Sequence, residues 1–189
     1  MSNDLMSEKK YQQGVVYSLI DYHPYRKLGE DNPDRDSNTY RIMDLKNSEH
    51  PNHQSAVNHF GVLFDAGTHR LLEFLGTDKI QVAIVPSSKV GKQSKGLEGV
   101  LAHVKGVELL YNPNFLVRTV DIQSSHEGGQ RSVVEHLSTI AVKVTPDPSV
   151  PMILLDDVKT TGVSLDACKQ LLEAAGIREI YMVALGNTV

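Results

Sequence analysis

Cysteine is almost missing from this 189-residue chain: Cys168 stands alone, so no internal disulfide can form. A zinc ribbon built from thiolates is excluded on the same count. Long apolar runs are missing as well. No segment approaches ~18 consecutive apolar residues, the length a membrane-spanning helix needs. The opening MSNDLMSEKKYQQG lacks the apolar stretch of a signal peptide. The expectation is a soluble, cytoplasmic protein with no membrane partner. Basic charge is not in excess either: the formal net charge is -4. General nucleic-acid binding, which depends on cationic surface displacing counterions, is therefore not expected. A local basic site for a phosphorylated small molecule remains compatible with this balance. Internal repeats and low-complexity tracts are absent.

What is present suits one compact domain. With 40% hydrophobic and 22% charged residues, the chain can bury an ordinary core without metals. Residues 1–50 read as an irregular N-terminal lobe. Short strands are expected at Val15–Ile20 and Tyr40–Leu45, on either side of the charged loop GEDNPDRDSN. From Pro51 the pattern becomes regular. Ala56, Val57, Phe60, Leu63 and Phe64 mark one helix, and Leu71, Leu72 and Leu75 a second helical piece. Ile80–Val85 reads as a strand, and Leu97, Val100, Leu101 and Val104 form a helical stripe closed by Gly106. Further strands are expected at Val107–Tyr111, Phe115–Val120 and Thr139–Val144, with a polar loop at Gln123–Ser132. Met152–Leu155 reads as a strand buried on both faces. A helix follows with Leu165, Cys168, Leu171, Leu172 and Ala175 inward and Gly176 as its stop, and Glu179–Leu185 closes the sheet. Such alternation predicts an α/β fold, a mostly parallel central sheet with flanking helices, in a core spanning residues 51–189.

The chemistry concentrates in ILLDDVKTTGVSL, Ile153 to Leu165. A buried strand delivers Asp156 and Asp157 to its carboxyl end, where open α/β sheets bind ligands. Lys159, Thr160, Thr161, Gly162, Val163 and Ser164 form a tight loop opening a helix. Backbone N–H groups, hydroxyls and the positive end of the helix dipole make that loop an anion site. Carboxylates beside it would repel a bare phosphate, but as pure acceptors they suit the hydroxyls of a sugar phosphate. The bland reading is that Asp-Asp ends a strand and Thr-Thr-Gly caps a helix; their fixed juxtaposition favours the ligand site.

This stretch resembles the phosphoribosyl pyrophosphate-binding motif of type I phosphoribosyltransferases, an apolar run followed by Asp-Asp-x-x-Thr-Thr-Gly-x-Ser/Thr-Leu. The resemblance implies that Asp156 and Asp157 hold the ribose 2- and 3-hydroxyls and that Lys159 to Ser164 wrap the 5-phosphate. Ser87-Ser88-Lys89, at the end of the Ile80–Val85 strand, is similar to the pyrophosphate loop of that family. Ser125 to Gly129 resembles the mobile loop of orotate phosphoribosyltransferases, which implies that His126 or Arg131 meets the departing pyrophosphate. That loop type also carries a lysine just upstream, whereas no lysine lies between Lys105 and Lys143 here. Arg118, Arg131 and Lys89 are the substitutes the sequence offers. The pattern from Ile42 to Ser88, beginning with the Leu45-Lys46 pair, is similar to the competence-associated ComF-like branch, without its zinc ribbon.

By resemblance the function is transfer of ribose 5-phosphate from phosphoribosyl pyrophosphate to a nitrogenous base, with release of pyrophosphate. The implied cofactor is Mg2+, held mainly through the substrate rather than by protein ligands. The implied assembly is the homodimer common in that family. The alternative on the same fold is a non-catalytic sensor of phosphoribosyl pyrophosphate. A receiver-type phosphoacceptor is disfavoured, because its acidic pair follows the first strand. The chain stops four residues beyond Leu185, leaving residues 1–50 as the expected hood over the base, with Tyr22, Tyr25 and Tyr40 as stacking candidates. The base itself is not readable. His50 and His53 can share a helical face, but no third ligand accompanies them at a metal-binding spacing.

Overall fold

The computed structural model describes residues 3–7, 10–27, 29–122 and 132–189. Its centre is strand β9 (Met152–Lys159), whose first four residues are fully buried. Alternation along the strand sends Ile153 and Leu155 into one apolar cluster and Met152 and Leu154 into the other. Such a strand needs cover on both faces and partners on both edges. β10 (Ile180–Thr188) pairs with it on one side and β5 (Lys79–Ile84) on the other, both parallel. β2 (Val16–Tyr22) adds outside β10, with β1 (Asn3–Asp4) beyond it, and β6 (Glu108–Tyr111) adds outside β5. The order is β1-β2-β10-β9-β5-β6, six strands and every pairing parallel, so the fold is the expected α/β class.

One face is covered by α1 (Ser37–Lys46), α2 (His53–Leu75) and α3 (Lys95–Leu101), through Ile42, Leu45, Phe60, Phe64, Leu71 and Leu97. The other is covered by α5 (Val163–Ala174), through Leu165, Cys168 and Leu172. Packed against α5 is α4 (Val133–Thr139), beside a ribbon of β7 (Val117–Arg118) and β8 (Ile140–Ala141). A second ribbon, β3 (Arg26–Lys27) with β4 (Glu30–Asp31), follows β2. Among the described residues, no helix is long and apolar enough to cross a membrane.

Several local expectations are corrected. Tyr40–Leu45 is helix, not strand: Asp36 accepts from the backbone of Asn38 and Thr39 while Thr39 Oγ1 accepts from Asp36 N, a reciprocal cap. Its core contacts, Ile42 and Leu45, are three residues apart, which suits a helix rather than a period of two. The two helical pieces after Pro51 are one 23-residue helix, because Gly67 sits within it against Leu5 instead of breaking it. Phe115–Val120 and Thr139–Val144 shrink to the two-residue strands β7 and β8. These pair antiparallel with each other, outside the main sheet. Within residues 1–50, β1 and β2 join the main sheet and α1 joins its cover.

One close approach sets the position of α1. A Cβ at Gly96 in α3 would lie 2.4 Å from the Leu45 backbone oxygen, so only glycine lets the two helices meet there. Gly96→Ala is expected to lower stability by roughly 1–3 kcal/mol, as overpacking against backbone does. Urea unfolding followed by circular dichroism would measure the loss.

Candidate functional site

The pairing of β9 with β5 ends at Leu155, which faces Ile84 and accepts from Val85 N at 2.9 Å. Pairing with β10 continues to Lys159. Asp156 and Asp157 therefore stand where β9 has lost one neighbour, at the carboxyl edge of the sheet. Strand alternation turns them to opposite faces. Asp156 looks toward α5: Oδ1 accepts from Asp157 N at 2.8 Å and Oδ2 from Ser164 Oγ at 3.1 Å. Burial, reinforced by the charge of Asp157, raises its pKa to about 7 despite those donors and nearby Lys46. Asp157 looks toward α1, where Lys46 Nζ lies 3.1 Å from its Oδ1. Burial works against the Lys46 ammonium, but Asp157, with smaller help from Asp156 and Tyr22, holds its pKa above the ordinary lysine value.

The loop after β9 is built for close approach. Gly162 caps α5 with φ +84, a left-handed conformation that side chains rarely adopt, and no side chain caps the helix. The first-turn N–H groups of this 12-residue helix lie beside the exposed Thr160 and Thr161. Thr188, at the end of β10, approaches Thr160 Oγ1 at 3.5 Å. Ser164, expected at the phosphate, gives its hydroxyl to Asp156 instead.

The Ser87–Lys89 loop leaves the neighbouring strand at the same edge, as expected. Ser87 and Lys89, however, have partners within the protein. Ser87 Oγ lies 3.1 Å from the carbonyls of both Lys89 and Lys92, and Lys89 Nζ reaches Asp121 at 3.5 Å. Arg118, expected as a substitute cation, is a buried clamp. It donates to the carbonyls of Ser87 (2.9 Å) and Pro86 (3.5 Å) and to Thr139 Oγ1 (2.7 Å), beside His136. A cavity of about 140 Å³ lies between this loop and residues 111–118, and its lining includes none of residues 156–164. His126 and Arg131 lie outside the described residues.

Of the hood tyrosines, Tyr22 is buried, while Tyr25 and Tyr40 meet edge to face at 6.3 Å. Arg35 sits over the Tyr25 ring at 4.6 Å. Tyr22 is the last residue of β2, which runs parallel to β10 and β9, so the chain leaves β2 toward Tyr25 at the site's end of the sheet. His50 and His53 converge on Asp44 through its side chain and carbonyl, respectively. Among the described residues, no group of three or more His, Cys, Asp or Glu side chains could hold a metal ion. Lys46 is the site residue that sequence reasoning missed as a participant. Its signal, the Leu45-Lys46 pair, is visible in the sequence, but its reach to Asp157 depends on how α1 packs against β2, α2 and α3.

Two outcomes follow. In the fold Asp156 keeps a proton that the unfolded chain has lost between its ordinary value near 3.8 and about 7. Its contribution to stability is therefore present below pH ~4 and lost as pH rises through ~7. Asp156→Asn is expected to flatten that fall and gain on the order of 1 kcal/mol at pH 8, read from thermal unfolding across pH. Cys168 is fully buried, and burial pushes its thiol pKa up. It should resist a thiol-specific reagent in the native protein and react once the chain is unfolded in guanidinium.

No protein-family model and no curated protein matches this chain, so the site's chemistry rests on the geometry above.

Proposed function

We propose that the carboxyl edge of the sheet binds phosphoribosyl pyrophosphate and that the chain is a phosphoribosyltransferase of the type I kind. The observation that carries this reading is the step after Leu155: two carboxylates and an uncapped helix N-terminus share one edge within a single strand–loop–helix unit. The N–H groups of the 160–164 loop suit the 5-phosphate, and the carboxylates suit ribose hydroxyls as acceptors. A nitrogen of the incoming base attacks C1 of the ribose as the C1–O bond to pyrophosphate breaks, and the bonding electron pair leaves with the pyrophosphate. The transition state is oxocarbenium-like, so positioning and charge stabilisation supply most of the catalysis. The Ser87–Lys89 loop, made rigid by Arg118, lies beside this edge and suits the diphosphate through its backbone and Lys89.

Magnesium fits this site as an ion carried by the substrate. Asp157 is paired with Lys46 and Asp156 with Ser164, so the diphosphate oxygens are the better hard donors. When bound, the ion would neutralise charge on the leaving group. The absence of a lysine between Lys105 and Lys143 favours a second reading, a sensor that binds the same ligand without transferring it.

Calorimetry with phosphoribosyl pyrophosphate and magnesium tests the binding claim. Asp157→Ala should weaken binding by roughly tenfold or more while leaving the circular dichroism spectrum unchanged. Absence of wild-type binding would overturn the reading. Pyrophosphate release across a panel of purine and pyrimidine bases separates enzyme from sensor.

A further inference from the structure

Two carboxylates beside a phosphate cradle pose an electrostatic problem: a ligand with several negative charges has to approach them. We propose that Lys46 is the counter-charge that solves it, pairing with Asp157 so that the acid pair can take up a polyanionic sugar phosphate; this deepens the reading above and rests on it.

The geometry singles out this side chain. Lys46 is the last residue of α1, where the helix's negative end favours a cation, and its ammonium lies 3.1 Å from Asp157. The side chains of the pair are 35% and 29% exposed, so the charges are screened less than on an open surface. Tyr22 lies against the pair, and its own pKa is raised, chiefly by burial. It packs against Gly186, where an added Cβ would lie 3.0 Å from the Tyr22 Cβ.

The fold does not depend on the ion pair. α1 is already held by its reciprocal cap, by buried Ile42 and Leu45, and by the Gly96 contact. Partly exposed ion pairs contribute little to stability. The pair instead changes the charge that a ligand meets. Burial holds Asp156 toward its neutral form, and Lys46 lies against Asp157 as its counter-charge. Asp157 Oδ2 is still available as an acceptor for a ribose hydroxyl while Oδ1 stays on Lys46. Lys46 is thus a positioning residue that acts through Asp157. It selects for anionic ligands, more strongly the more charge they carry.

The test compares wild type, Lys46→Met and Lys46→Arg by calorimetry with two probes, ribose 5-phosphate and phosphoribosyl pyrophosphate with magnesium, and records thermal unfolding of each variant. Lys46→Met should weaken phosphoribosyl pyrophosphate by roughly tenfold and ribose 5-phosphate by only about two- to threefold. Lys46→Arg should restore most of the affinity at an unchanged unfolding temperature. Equal loss for both probes, or loss that tracks a lower unfolding temperature, would assign Lys46 a merely structural role and overturn the proposal. Unchanged affinity in Lys46→Met would also overturn it. If the wild type binds neither probe, the site reading itself falls, a result distinct from any effect of Lys46.

Discussion

Strand β9 is the constraint from which the rest of the molecule hangs. Four consecutive residues, Met152 to Leu155, have no exposed surface, so the chain must supply covering elements on two faces and hydrogen-bonding strands on two edges. Meeting that demand creates the parallel sheet, and a parallel sheet aligns all its carboxyl ends on one side. β5 stops one residue before the acids begin, whereas β10 continues beyond them. That difference in length opens an edge above β5 while keeping the acid-bearing segment tied to a rigid neighbour.

The electrostatics follow from the same strand. Alternation puts Asp156 on the α5 face and Asp157 on the α1 face, so adjacent residues experience different surroundings. Asp156 lies over the cluster containing Leu165 and Cys168, where burial favours its neutral form. Asp157 meets the cation on α1 and has a partner for its charge. Two identical side chains are thereby given different surroundings by the pleat of a strand and what packs on each side.

Arg118 illustrates a different economy. Read as a chain of residue types, it is a cation available for an anionic ligand. In the fold it is buried, and its guanidinium is spent on the carbonyls of Pro86 and Ser87 and on Thr139. Its contribution to the neighbouring loop is shape. A guanidinium has five donors in a planar fork, which suits it to tie several acceptors from separate segments together.

The α/β class, the buried strand and the Asp-Asp to Thr-Thr-Gly unit were all readable from the residues, because each depends on local pattern: an apolar run, a turn glycine, a helical stripe of Leu165, Cys168 and Leu172. The misreadings fell where local pattern is ambiguous. Tyr40–Leu45 is apolar enough to pass for a short strand, and its cap and the inward spacing of Ile42 and Leu45 make it helix. Residues 117–118 and 140–141 have strand-like composition, but their partners are each other rather than the main sheet. Side-chain partnership was decided wholly by tertiary structure. Ser164 to Asp156 spans eight residues, Lys46 to Asp157 more than a hundred, and Arg118 to the Pro86–Ser87 carbonyls about thirty. Composition and periodicity report which face a residue presents; which charge lies across from it depends on how distant segments pack, and that is set by the whole fold.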